Sequence, residues 1–225
     1  LLALGDFERG WEQHEWRWAT QDHAPRRNFI QPLWRGAEDL AGRTLLLHSE
    51  QGLGDTLQFV RYAPLLAARG ARVVLEVQPP LKALMTALPD VDLTVAQGEA
   101  LPAFDYQCPL LSLPLAFATT LRSIPAHTPY LQPAADKLAQ WQALLGERKG
   151  LRVGLAWSGN PNHKNDRNRS IALARLRPLL AVPGVRFVSL QKELRDDDAA
   201  VLAALAGFTP IGNQLDDFAD TAAVV

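Results

Sequence analysis

Two stretches of this 225-residue chain place groups capable of chemistry at points where an apolar run gives way to a helical pattern. The first is Glu50-Gln51-Gly52-Leu53-Gly54-Asp55-Thr56. Gly52 and Gly54, following Gln51, let the backbone turn sharply and approach a ligand closely. The helix start beyond them offers free N–H groups and the positive end of a dipole. Asp55 has two readings. As a helix cap it stabilises the fold by ~1 kcal/mol. As a functional group it is a carboxylate at the carboxyl end of a parallel sheet, where ligands bind in such folds. A weak base held there suits removal of a proton from a hydroxyl late in bond formation. The stretch is not a dinucleotide fingerprint, because Leu57 stands where the third glycine belongs, and no Gly-Lys-Ser/Thr of a P-loop follows.

The second stretch runs from Trp157 to Ser170. Lys164, Arg167 and Arg169 concentrate positive charge there. Ser158, Gly159, Asn160 and Ser170 add hydrogen-bonding groups. Lysine as a point charge and arginine as a fork make this a plausible grip for a diphosphate. The plainer alternative is a solvated loop whose Asn-Pro and Asn-rich turns need no ligand. Gln191 and Lys192, at the end of a later apolar run, either face the same crevice or form a solvated strand end. His163 lacks a partner at metal-ligand spacing, so no metal site is expected. Gly-x-Ser-x-Gly, Cys–His and His-Glu-x-x-His arrangements are missing from the sequence, which leaves hydrolase and metalloprotease chemistry without support.

The elements that would position these groups alternate. Residues 44–48, 71–77, 91–95 and 105–109 read as strands, with helices expected over 55–68 and 79–88. Pro125, Pro129 and Pro133 punctuate a linker. Alternation then restarts with a helix over 134–145 and a buried-type strand over 151–157. A polar loop (158–170), a helix (173–180), a strand (186–190), a helix (197–205), a short strand (208–211) and a final helix from Asp217 follow. This pattern predicts two successive α/β sheets with parallel strands. Ahead of them, Leu4, Phe7, Trp11 and Trp18 recur at helical spacings over residues 1–19, with Asp6 as cap. Residues 20–42, bearing Pro25, Pro32 and Gly36, read as a connecting arm.

The composition is that of an ordinary globular protein: 48% hydrophobic, 21% charged, net charge −1 and pI near 6.6. A dedicated nucleic-acid binder would carry a basic excess. The single cysteine, Cys108, excludes an intrachain disulfide and reads as a core residue. No apolar run reaches the roughly 20 residues that span a bilayer. A cytoplasmic setting is expected. The chain begins with leucine, has Met85 as its one methionine and ends in an apolar run, so it reads as part of a longer protein.

Together these motifs are similar to those of GT-B glycosyltransferases of the ADP-heptose:lipopolysaccharide heptosyltransferase type. They resemble more closely the glycosyltransferase-like region that follows tetratricopeptide repeats in bacterial proteins. There a loop like Glu50–Asp55 is joined to a Trp-Ser-Gly-Asn-Pro…Lys-Asn-Asp…Arg-Ser segment, here Trp157–Ser170, and to a Ser-Leu-Gln-Lys strand, here Ser189–Lys192. The Gly5–Trp18 segment looks like a terminal repeat helix. The resemblance implies three regions: a repeat-type helix and arm (1–42), an acceptor-side Rossmann-like lobe (43–132) and a partial donor-side Rossmann-like lobe (133–225). The second lobe ends before the family's Asp-Thr…His segment. It puts Asp55 at the catalytic base, Ser158, Lys164 and Arg169 in the segment that contacts donor phosphates, and Gln191 and Lys192 among second-lobe donor contacts. The expected reaction is inverting transfer of a sugar from a nucleotide diphosphate to a hydroxyl of a glycan, lipid-linked or protein acceptor. It needs no metal or other cofactor. A protein partner bound through upstream repeats is also expected. Two rivals stand beside it: a non-catalytic sugar- or protein-binding module, and a nucleotide-binding oxidoreductase, which the incomplete fingerprint weakens.

Overall fold

Within residues 44–48 the run Leu45-Leu46-Leu47 puts apolar side chains on both faces, and a strand of that kind must be covered on both sides. A computed structural model, which describes residues 1–20, 26–205 and 208–225, places it in the interior of a four-stranded parallel sheet. Strands β1 (Thr44–His48), β2 (Arg72–Val77), β3 (Leu93–Ala96) and β4 (Tyr106–Pro109) lie in the order β3-β2-β1-β4. Leu45, Leu46 and Leu47 have no exposed surface, and each contributes ~1.5–3 kcal/mol by leaving water. Parallel pairing needs crossover connections. Helices α2 (Leu53–Phe59) and α3 (Ala63–Ala67) join β1 to β2, and α4 (Lys82–Met85) lies between β2 and β3. Cys108 is buried in β4, and burial pushes its thiol pKa up, as suits a core residue.

The chain divides into two units, Leu1–Gln132 and Pro133–Val225. The N-terminal segment belongs to the first. Its expected single helix over 1–19 is instead three pieces: a 3-10 turn at Leu2–Leu4, α1 (Phe7–His14) and a 3-10 stretch at Glu15–Ala19. Gly5, at φ 80°, ends the first piece, and the Asp6 side chain caps α1 by accepting from the Arg9 N–H. Leu4, expected on the packed stripe, is 87% exposed. Trp11 does pack, donating from Nε1 to the Thr119 carbonyl at 3.1 Å and lying edge-on to Phe59. In the arm, Pro25 lies outside the described residues. Trp34 is buried, and its N–H donates to the Gln107 carbonyl on β4 at 2.9 Å.

Three further helices differ from expectation, the one expected over 173–180 being a 3-10 turn, Leu173–Leu176, followed by four helical residues, Arg177–Leu180. The one expected over 55–68 begins at Leu53 and is interrupted by a 3-10 turn, Val60–Tyr62, because Pro64 has no N–H to donate to the Val60 carbonyl. The one expected over 79–88 is a 3-10 turn, Pro79–Leu81, followed by four residues of α4. After β4 the chain makes another 3-10 turn (Leu110–Ser112) and α5 (Leu113–Ala116).

The second unit holds α6 (Ala135–Leu145), β5 (Leu151–Leu155), α7 (Asp166–Arg169), α8 (Arg177–Leu180), β6 (Val185–Ser189), α9 (Asp196–Ala203), β7 (Thr209–Pro210) and α10 (Phe218–Val224). Its parallel sheet runs β5-β6-β7. Strand β5, expected to be fully buried, lies at the sheet edge and is half-exposed along most of its length. The polar loop after it contains the single turn α7. The core gathers Trp141, Leu145, Val188, Ile211, Leu215 and Ala223. Asp220 ties α6 to α10 by accepting from Trp141 Nε1 at 2.9 Å and Lys137 Nζ at 2.7 Å.

Candidate functional site

In the first unit, parallel strands deliver their last residues to one edge: His48, Ser49 and Glu50 after β1, Glu76 and Gln78 at β2, and Gln97 after β3. Loop 49–56 is fixed among them. Gln97 Nε2 donates to Ser49 Oγ at 3.0 Å, and Gln78 Nε2 donates to the Gln51 carbonyl at 2.8 Å. Gln78 Oε1 in turn accepts from Thr56 Oγ1 at 2.9 Å. Asp55 is the third residue of α2 and Gly52 is the cap. Asp55 Oδ2 accepts the Gly52 N–H at 2.9 Å, the acid half of a capping box. The sharp turn expected of the glycines is not what the backbone uses: Gly52 sits at φ −71°, ψ 166°, which any residue adopts. Their contribution is open surface. Both are exposed, and a Cβ on Gly54 would meet nothing within 4 Å.

Beneath this loop lies a buried ionic cluster that sequence reasoning missed. Arg17, 6% exposed, donates to Glu50 Oε1 through Nη2 at 2.8 Å and through Nε at 3.2 Å. It also donates to Glu15 at 2.6 Å and to Ser112 Oγ at 2.8 Å. Two carboxylates thus share one guanidinium. Burial pushes the Glu50 carboxyl up to about 7 against the pull of Arg17, with repulsion from Glu15 adding to the rise. Glu50 Oε2 is buried without a hydrogen-bond partner. Beside it, burial lowers His48 to about 4, and its Nε2 meets Gln107 Oε1 at 3.0 Å. Arg27 pairs with the buried Glu76. A cavity of about 450 Å³ opens beside the cluster, walled by Trp16, Trp18 and Trp34 and lined also by Arg26, Glu15 and Ser112. The one signal for the cluster in the sequence is a charged residue between two tryptophans, Trp16-Arg17-Trp18.

In the second unit a cavity of about 500 Å³ is lined by Ser158, Gly159, Asn160, Gln191 and Lys192, all named from the sequence. Gln191 is buried, and its amide is fully engaged. Oε1 accepts from the Trp157 and Ser158 N–H groups, both at 3.0 Å, and Nε2 donates to the carbonyls of Ser158 at 2.9 Å and Glu193 at 3.0 Å. Ser170 Oγ accepts the Gly159 N–H at 3.1 Å and donates to Asp166 Oδ1 at 2.5 Å. Asp166 also meets Arg195 Nη2 at 2.6 Å. The Ser170 hydrogen bond, then Arg195, hold its carboxyl below the usual range. Asn160 Oδ1 accepts from the Asn162 N–H, and Lys192 Nζ donates to the Asp216 carbonyl. Lys164 and Arg169 are exposed on the same loop but do not line the cavity. Asp166, the aspartate of the Lys-Asn-Asp motif, holds the loop together with Arg195 and Asp198, which accepts from Trp157 Nε1 at 3.0 Å; the last two carried no sequence signal.

Among the described residues no group of three or more His, Cys, Asp or Glu side chains could hold a metal ion, and no helix is long and apolar enough to cross a membrane.

No protein-family model matches the chain. It is 30% identical to Protein FlbA of Caulobacter vibrioides across 85% of its own length, and spans 35% of that relative. Among solved structures it is similar to the glycosyl transferase family 9 protein from Veillonella parvula, with a TM-score of 0.57 and 9% identity over 84% of this chain and 74% of that one. It is also similar to E. coli ADP-heptose LPS heptosyltransferase II, with a TM-score of 0.55 and 13% identity over 80% and 76% of the two chains. At these identities the likeness shows the fold: two Rossmann-like α/β lobes of GT-B type.

Proposed function

We propose that the chain is the core of a glycosyltransferase moving a sugar from a nucleotide diphosphate to a hydroxyl acceptor with inversion. The observation that carries this reading is Asp55, half-buried at the carboxyl edge of the first sheet just after two exposed glycines, Gly52 and Gly54, in a fold shared with two glycosyltransferases. The acceptor hydroxyl binds over Gly52 and Gly54 and gives its proton to Asp55. Oδ2 is already oriented by the Gly52 N–H, which leaves Oδ1 to receive the proton. The acceptor oxygen forms the new bond to the anomeric carbon as the bond to the diphosphate breaks. The nucleoside diphosphate leaves with that electron pair. Its charge is met by the cavity at Ser158–Asn160 and Lys192, with Lys164 and Arg169 on the flanking loop, so no metal is required.

The test is calorimetric titration of the full-length protein with nucleotide sugars and nucleoside diphosphates, without metal, followed by transfer assays. One donor should bind, Lys164→Ala and Arg169→Ala should weaken it, and Asp55→Asn should abolish transfer while leaving donor affinity nearly intact. Turnover retained in Asp55→Asn would remove Asp55 from the base role.

A second reading, a non-catalytic sugar- or protein-binding module, is favoured by one feature. The polar groups of the second cavity, the Gly159 N–H, the Ser158 N–H and Lys192 Nζ, already have partners within the unit. Absence of binding across a broad donor panel would select it.

A further inference from the structure

Loop 49–56 is clamped from two sides. Gln78 and Gln97 hold it from the β2 and β3 side. On the β4 side it is held by Arg17, which reaches Glu50 across 33 residues and Ser112 across 95. Glu50 lies two residues before the cap of α2 and five before Asp55. The side chains of Arg17 and Glu50 are 4% and 5% exposed. A buried cluster of two carboxylates and one guanidinium is a poor way to gain stability, since apolar side chains of similar volume serve as well or better. What the cluster does provide is direction: Arg17 has its Nε and both Nη groups committed, so the Glu50 carboxylate has one place to sit.

We infer that Arg17 is a positioning residue for Asp55, through which the N-terminal segment sets the geometry of the acceptor-side loop. This rests on the transferase reading for its catalytic consequence, but the mechanical link stands on the ion pair alone. The segment carrying Arg17 also forms one wall of the tryptophan-lined cavity, with Trp16 66% exposed above it.

The experiment compares the wild-type full-length protein with Arg17→Met, the doubly apolar Arg17→Met/Glu50→Leu, and Arg17→Lys. The doubly apolar variant leaves no orphan charge and should fold, which a urea midpoint checks. Peptide-resolved hydrogen exchange should show loop 49–56 exchanging about 10-fold faster in both Arg17→Met variants, with β1 and the second unit unchanged. Arg17→Lys, which keeps the charge and loses the fork, should restore stability more than loop protection. In the transfer assay kcat should fall by about 10²-fold in the folded double variant while donor KM stays within about 2-fold. A folded double variant with wild-type loop exchange overturns the proposal. If the wild type transfers no sugar, the transferase reading falls, and the exchange measurements still decide the link.

Discussion

Replacing Gln191 by leucine removes one side-chain amide that accepts two backbone N–H groups and donates to two carbonyls. The consequences divide by burial. Trp157 is 5% exposed, so its N–H has no route to water, and a buried donor left without a partner costs ~1–3 kcal/mol. Ser158 and Glu193 are more exposed, and water replaces the amide there at a smaller loss of ~0.5–1.5 kcal/mol each. Leucine returns about 1 kcal/mol through its added apolar burial. The net expectation is a loss of about 2–3 kcal/mol, which lowers the urea midpoint of the second unit by about 1 M. Four tryptophans (11, 16, 18 and 34) lie in the first unit and two (141 and 157) in the second, so bulk fluorescence mixes the transitions. Peptide-resolved hydrogen exchange through the denaturant series separates them. The 157–160 peptide should lose protection first, and any donor affinity should fall with it. A variant within about 0.5 kcal/mol of wild type would refute the reasoning, because that is the range of surface substitutions.

Gly212→Ala should destabilise the second unit by about 2 kcal/mol, since a Cβ there overlaps the Gln191 carbonyl, which is backbone and cannot swing aside; unchanged thermal stability would argue against so close an approach. Asp55→Asn should change stability by less than about 1 kcal/mol, because the asparagine oxygen still accepts the Gly52 N–H, so lost transfer in that variant would not reflect unfolding. The Glu50 carboxyl is raised in the folded protein, so its ionisation opposes folding. Its contribution is favourable below the unfolded value near 4.5 and is lost as pH rises to about 7. Relative to Glu50→Gln, wild-type stability should therefore fall across that window by on the order of 3 kcal/mol, as paired urea melts at pH 5 and 8 would show. His48 acts in the opposite sense. Its folded value of about 4 lies below the unfolded 6.5, so its contribution is lost on acidification, and the paired comparison subtracts it.

The strands were legible because an apolar run such as Leu45-Leu46-Leu47 has few other ways to leave water, and helical crossovers between such runs imply parallel pairing. Helix boundaries were less so. The interruption at Val60–Tyr62 comes from Pro64, whose effect on a helical pattern is local and easily outvoted by the surrounding leucines. Strand β5 reads as buried from composition, yet its neighbours decide exposure, and sheet order is not written in the strand itself. The cavity-lining residues Ser158, Gly159, Asn160, Gln191 and Lys192 were named from their polar types, their place at strand ends and the motifs they share with a known family. What could not be read was the use made of them. The Gln191 amide serves the loop's own backbone, and two of the partners of Arg17, Glu50 and Ser112, lie 33 and 95 residues away, beyond any local spacing rule.

The arrangement around Arg17 also sets an order on synthesis. Strand β1 lies between β2 and β4, and Arg17 finds its last partner at Ser112. A growing chain at ~5–20 residues per second spends several seconds between emergence of the arginine and that of its hydroxyl partner. Through that interval the segment bearing Trp16, Trp18 and Trp34 faces solvent beside a half-built sheet. A nascent chain paused before residue 112 should thus present an aromatic surface of the kind ribosome-associated chaperones hold, and releasing the pause should bury Trp34 while Trp16 stays exposed.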